Sequence, residues 1–239
     1  MINKVKIFSI ATNNYHEFEE TFYKSFENYF LPFSKKEFII FTDDVNLDFY
    51  KGKNIIPAYM EHRAWPYITL SRYENIKESF ERIGDDELCI FADIDLEVVK
   101  NIENIECEKY FGVNHPGNYY ANNNMSLERN FFSEAYVDIE NLPDTYKYIQ
   151  GCFWGGIGLH FKEMILKLQY SVQKDLDNNV VARWHDESHL NKFCIENIKD
   201  FNILDSSYAY PENWNLPFLE KNIIHKYKNL EQFPRFEGI

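Results

Sequence analysis

Leu88-Cys89-Ile90-Phe91-Ala92-Asp93-Ile94-Asp95 is the stretch on which the fold turns. A short apolar run with Cys, Ile and Phe has the pattern of a strand covered on both faces, as in a parallel sheet. It ends on two carboxylates separated by one apolar residue. Ligand sites of open α/β sheets lie beyond the carboxyl ends of their strands. Paired carboxylates there offer hard oxygen ligands suited to Mn²⁺ or Mg²⁺, and such an ion keeps open positions that a diphosphate can fill. The competing reading is that Asp93 and Asp95 merely open a polar turn, and so short a motif does not choose between the two.

Working outward, residues 5–10 read as a first strand. Residues 15–30 follow as an amphipathic helix with Phe18, Phe22, Phe26 and Phe30 at i, i+4 spacing, which is a core stripe. Residues 37–41 and 54–58 give a second and a third strand. Pro66 opens a helix whose periodicity runs over 68–83 and stops at Gly84. This alternation predicts an α/β fold with a Rossmann-like nucleotide-binding half. Downstream the pattern is less regular. Residues 111–114 form a strand, 117–124 a loop rich in Asn and Tyr, and 146–154 a strand closed by Gly155-Gly156. Residues 160–174 make a helix with Met164, Ile165 and Leu168 inward, 186–198 another helix, and 201–204 a short strand. From Tyr208 on, Pro, Asn and Lys dominate, which suggests a wrapping tail that orders with ligand. The expected organisation is a single domain over 1–239, with a nucleotide-binding half (1–95), an acceptor and catalytic half (96–207) and a tail (208–239).

Composition narrows the function. A net charge of −13 argues against nucleic-acid binding, which needs a basic footprint. An acidic protein that binds a polyphosphate wants a local cation, as a metal at Asp93 and Asp95 would supply. Aromatic residues reach 18%, serving as core and as apolar floors on which sugars stack. Cys89, Cys107, Cys152 and Cys194 are far apart with no CxxC, which points to free thiols in a reducing compartment. With neither an apolar leader nor a span of ~20 apolar residues, the expectation is a soluble cytoplasmic protein without stable membrane insertion.

Further residues carry potential chemistry. Trp184-His185-Asp186-Glu187-Ser188-His189 places two His and two acids within five positions. His185 and His189 share a helix face, but a zinc protease needs Glu directly after the first His, and Asp186 stands there. Asp186 and Glu187 near a helix start also suit a cap, yet a cap does not account for the Trp and both His. Arg72, alone, reads as a surface ion pair; facing a diphosphate it is a charge-assisted clamp. Gly151-Cys152-Phe153-Trp154-Gly155-Gly156 allows either close backbone approach to a ligand or a tight strand end.

Taken in order, these stretches resemble glycosyltransferase family 6, which includes the histo-blood-group A and B transferases, the α-(1→3)-galactosyltransferase and smaller bacterial relatives. The resemblance runs from Ile10 to about Phe218, and Trp184 to Lys192 is its most specific piece. It implies a GT-A fold with a mixed-sheet acceptor half, a UDP-sugar donor, and transfer of Gal or GalNAc with retention to the 3-hydroxyl of a β-galactoside glycan. By the same resemblance, Ile10, Ala11 and Tyr15 line the uracil pocket, and Ile68 and Arg72 sit by the nucleotide. Asp93-Ile94-Asp95 matches the DXD that holds Mn²⁺ (or Mg²⁺) against the diphosphate. Some bacterial members lack that pair and work without metal, so its presence implies metal dependence. His115 (in His115-Pro116-Gly117) and Trp184 fall on the acceptor side. Gln150, Gly151 and Cys152 fall where the family chooses Gal or GalNAc. Glu187 matches the catalytic carboxylate, within reach of the acceptor, with His185 and Asp186 beside the donor sugar. Tyr210-Pro211-Glu212 and Trp214 resemble the segment after the catalytic helix, and Lys226 or Lys228 is placed to close over UDP. Residue 152 departs from the family's usual Gly or Ala; the larger Cys152 crowds an N-acetyl group and leans toward Gal. Such an enzyme, acting on lipid-linked glycans, would work peripherally at a membrane. Two other readings stay open: a nucleotide-sugar hydrolase using the same donor site, and a non-catalytic glycan-binding module.

Overall fold

In the computed structural model, which describes residues 2–118, 126–217, 220–229 and 233, the apolar run ending at Asp93 is an inner strand of a large sheet. Strands β1 (Lys4–Ala11), β2 (Lys35–Thr42), β3 (Ile55–Tyr59) and β4 (Leu88–Ala92) are all parallel, in the order β3-β2-β1-β4. The sheet continues through β7 (Ile149–Ile157), β6 (Tyr110–Asn114) and β8 (Phe201–Leu204), and β7 runs antiparallel to both its neighbours. A Rossmann-like parallel half thus joins a mixed half in one seven-stranded GT-A-type sheet.

Every side chain of β4 is buried because both faces of the sheet are covered. One face packs helix α1 (Glu19–Tyr29), where Phe22 and Phe26, with Phe30 just beyond it, meet Ile7, Phe38, Ile90 and Phe153. The other packs α3 (Arg72–Glu78), α4 (Gly158–Asp177) and α5 (His185–Glu196), with Phe8, Phe41, Phe91, Trp154 and Phe161 between. Stacked ring pairs Phe8–Phe161 and Phe91–Trp154 account for part of the aromatic excess. Met164, Ile165 and Leu168 are inward, as the periodicity predicts.

The structure corrects four boundaries. The expected helix over 15–30 begins only at Glu19: Asn13 has φ +53, and a 3-10 turn covers Asn13–Phe18. The helical pattern over 68–83 is broken into α2 (Tyr67–Leu70), α3 and a 3-10 turn at Phe80–Arg82. Gly155-Gly156 do not close β7 but lie inside it. A Cβ on Gly155 would sit 2.2 Å from the Cys89 carbonyl oxygen, and one on Gly156 2.5 Å from that of Lys109, so only glycine lets the neighbouring backbones approach. The tail is also strand-paired rather than merely wrapping: β10 (Ile223–His225) joins β5 (Leu96–Val98) and β9 (Tyr210–Pro211) in a second, three-stranded sheet. Residues 119–124 of the expected Asn- and Tyr-rich loop lie outside the described residues. Among the described residues no helix is long and apolar enough to cross a membrane.

Candidate active site

The order β2-β1-β4 reverses direction around β1, and the crevice outside the carboxyl ends of β1 and β4 is where an open sheet of this type receives a ligand. A cleft of about 470 Å³ opens there. Ile10, Tyr15, Ile68 and Arg72 line one wall, and Asp93, Ile94 and Asp95 lie at its base. Gln150, Gly151 and Cys152 come from β7, Trp184, His185, Asp186 and Glu187 from the start of α5, and His115 from the end of β6. Ala11 is the one expected site residue outside this lining; its side chain packs in the core under α1.

Glu187 is positioned from two sides. Its Oε1 accepts from the Tyr148 hydroxyl at 2.7 Å, and its Oε2 accepts from the Gly151 amide at 2.7 Å. A Cβ on Gly151 would lie 3.4 Å from Glu187 Oε2, in ordinary van der Waals contact, so residue 151 packs directly against the carboxylate. Burial pushes the Glu187 carboxyl up to about 7, against these hydrogen bonds, which favour its charged form.

Arg72 is not on the surface. It is 4% exposed and ties the two halves of the site together. Its Nη1 donates to the Gly151 carbonyl at 2.8 Å and pairs with Asp186 at 3.0 Å, its Nη2 lies 3.6 Å from Asp93, and its Cζ sits 4.2 Å from the Phe91 ring centroid. The expected reach toward a diphosphate therefore starts from a guanidinium already shared among protein oxygens.

The two expected metal ligands differ sharply. Burial raises Asp93 to about 6 despite Arg72. Asp95 is also buried, but His225 and Lys228 outweigh that and hold its carboxyl well below the usual range. Asp95 Oδ2 lies 3.0 Å from His225 Nε2 and 2.5 Å from Lys228 Nζ. Asp93, Asp95 and His225 offer ligand atoms within 4.8 Å of one another, a donor set of carboxylate oxygens and an imidazole that fits Mn²⁺ or Mg²⁺.

His185 has φ +50, packs edge-on against Trp65 with centroids 4.3 Å apart, and has no hydrogen-bond partner on either buried ring nitrogen. Burial lowers its pKa. Burial and the nearby His225 push His115 down to about 4, so both rings are neutral near pH 7 and suited to sugar hydroxyls. Trp184 is 45% exposed at the rim. His189 belongs elsewhere: it is buried against α4, 2.6 Å from Ser171 and 3.5 Å from Asp175. The helix face it shares with His185 makes no common site.

Sequence reasoning missed Thr12, His62, Trp65, Tyr148 and His225. The Thr12 hydroxyl meets the His62 ring at 2.9 Å in the cleft wall. The short apolar pair Ile223-Ile224 ahead of His225 was a strand signal. Of the tail lysines, Lys226 pairs with Glu97 and Glu212, whereas Lys228 enters the cleft beside Asp95 and the Tyr15 ring.

The sequence model described as glycosyltransferase family 6 matches residues 3–232. The O-antigen biosynthesis glycosyltransferase WbnI of Escherichia coli is 31% identical over 215 residues, which cover 88% of this chain and 89% of that protein. Histo-blood group ABO system transferase 2 of Rattus norvegicus is 25% identical over 210 residues, covering 84% of this chain and 62% of the relative. Globoside alpha-1,3-N-acetylgalactosaminyltransferase 1 of Canis lupus familiaris is 28% identical over 212 residues, covering 84% and 59%. The chain thus spans nearly all of the bacterial relative and about three fifths of these mammalian ones.

Proposed function

Given that the chain belongs to glycosyltransferase family 6, we propose that it is a retaining, metal-dependent enzyme moving Gal or GalNAc from a UDP-sugar, in α-1,3 linkage, to a β-galactoside glycan. The observation that carries this reading is the convergence of Glu187, fixed by Tyr148 and Gly151, with Asp93 and Asp95 in one cleft at the sheet's switch point. In it, Asp93 and Asp95 would hold Mn²⁺ (or Mg²⁺), which would supply positive charge to offset the negative charge building on the UDP leaving group. Ile10 and Tyr15 flank the uracil, and Lys228 approaches the diphosphate from the tail. Arg72 keeps Asp186 and the Gly151 carbonyl in place beside the donor sugar, where His185 meets its hydroxyls. Glu187 lies under the anomeric carbon and stabilises oxocarbenium character, either by charge alone during same-face attack or by forming a glycosyl ester in a double displacement. His115 and Trp184 border the acceptor. The setting is cytoplasmic, at the membrane surface when the acceptor is lipid-linked.

A panel of UDP-sugars against β-galactoside acceptors, with linkage read by NMR and each reaction run with EDTA and with Mn²⁺ restored, tests this. An α-1,3-linked product that disappears with EDTA and returns with Mn²⁺ is expected; free sugar as the sole product would sink it.

Donor choice gives a second measurement. Cys152 lines the cleft on β7 and is 2% exposed, so its sulfur has no room to withdraw from an added N-acetyl group. Cys152→Gly is expected to raise the GalNAc-to-Gal ratio of kcat/KM by about 10-fold, the lower end of what one small group in a pocket discriminates. An unchanged ratio would move sugar selection away from this position.

A further inference from the structure

We propose that His225, on the tail strand β10, is a third protein ligand of the cation held by Asp93 and Asp95, and that Lys228 is the counter-ion occupying Asp95 until that cation arrives. The inference rests on the metal-dependent donor site proposed above and deepens it.

Asp95 is 1% exposed, so its charge has no water to solvate it and needs a cation at all times. Both groups that meet it come from the tail and reach the same oxygen: His225 Nε2 at 3.0 Å and Lys228 Nζ at 2.5 Å from Oδ2. A divalent ion on that carboxylate would repel an ammonium a few ångström away, so ion and Lys228 compete for it. His225 is not displaced in the same way, because an imidazole ring nitrogen can itself offer a lone pair to the ion. The tail backbone holds it in position. β10 pairs antiparallel with β5, with His225 opposite Leu96, and the Lys226 amide donates to the Asp95 carbonyl at 2.9 Å.

The group behind the ring suits this role. His225 Nδ1 lies 3.4 Å from Gln150 Nε2, while the buried Gln150 Oε1 has no hydrogen-bond partner. Turned over, the same amide accepts an Nδ1–H and fixes the tautomer that leaves Nε2 free for a metal. Loading the cation then anchors the tail: β10 contributes a ligand, and Lys228 is released from Asp95.

The test is Mn²⁺ binding to the whole protein, followed by electron paramagnetic resonance with and without UDP, before any transfer. His225→Ala is expected to weaken Mn²⁺ at least about 10-fold, the scale for losing a group that supports a bound metal. His225→Asn, which keeps a polar side chain on β10, should weaken it likewise. Lys228→Met should tighten Mn²⁺ in the absence of UDP by about 10-fold, a small share of the repulsion between charges this close. In parallel, Mn²⁺ should slow trypsin cleavage after Lys226, next to the anchored His225, in the wild type and not in His225→Ala. Wild-type affinity and protection in both His225 variants would overturn the ligand assignment while leaving Asp93 and Asp95 as the metal site. Unaltered affinity in Lys228→Met would overturn the counter-ion role. No Mn²⁺ binding by the wild type, with or without UDP, would overturn this inference and the metal-dependent reading together.

Discussion

Glu187→Gln is expected to lose transfer on the order of 10²- to 10³-fold, the scale of removing one preorganised electrostatic group, while UDP-sugar affinity is kept. The substitution is nearly isosteric and its hydrogen bonds survive: the Gln carbonyl accepts from the Gly151 amide, and the Gln amide donates to the Tyr148 oxygen in place of accepting from it. What is removed is the negative charge that the proposed mechanism places under the developing cation. Calorimetry with UDP-sugar and initial rates with a galactoside separate binding from turnover, and undiminished turnover would remove Glu187 from its role.

The same carboxylate fixes a pH dependence. With Glu187 raised to about 7 in the fold, mainly by burial, its charged form is gained as pH rises through that value, and kcat/KM of the free enzyme should climb with it. Tyr148→Phe deletes a donor that favours the charged form and should move that limb to higher pH. Stability runs the other way. The ordinary value of this carboxyl is 4.5, so its contribution to folding is fully present below 4.5 and is lost as pH rises through about 7. Glu187→Gln should therefore flatten part of the fall in Tm across that window, whereas a Tm slope equal to wild type would mean the carboxyl is already charged in the fold.

Much of this arrangement is legible in the sequence, for reasons that differ by element. The β4 run reads correctly because a strand covered on both faces must be apolar throughout, and the residues after it lie beyond the carboxyl end of the sheet by topology alone. Phe22, Phe26 and Phe30 read as core because helical spacing and burial impose the same pattern. Gly155 and Gly156 mislead: glycine is read as punctuation, whereas here it admits the Cys89 and Lys109 carbonyls inside a strand. Arg72 misleads for a related reason. Its partners Gly151 and Asp186 are remote in sequence, so nothing local marks it as buried. Tyr148 and His225 escape because each serves a carboxylate on another element, Glu187 and Asp95, and long-range pairs leave no spacing to detect. The run around Glu187 is read as a unit, yet the fold divides it: His185, Asp186 and Glu187 face the cleft, and His189 turns into α4.

Arg72→Met should have the largest effect on stability. The side chains of Arg72 and Asp186 are 5% and 8% exposed, so their pair is buried, and removing one member strands a charge at a cost of about 3–5 kcal/mol. For a chain of this size that corresponds to a Tm lower by roughly 10 °C. Arg72→Lys should recover little, because a single ammonium cannot meet the Gly151 carbonyl, Asp186 and Asp93 together while sitting over the Phe91 ring. Adding Asp186→Asn to Arg72→Met should restore part of the Tm, since the stranded carboxylate is gone, but not the turnover, since the Gly151 carbonyl keeps only its Trp154 indole donor and Asp93 has lost its cationic neighbour. Recovery of both would mean that Arg72 only balances charge; recovery of Tm alone, with Asp186→Asn by itself keeping turnover, would assign Arg72 to the geometry that keeps Gly151, and through its amide Glu187, at the proposed place of the anomeric carbon.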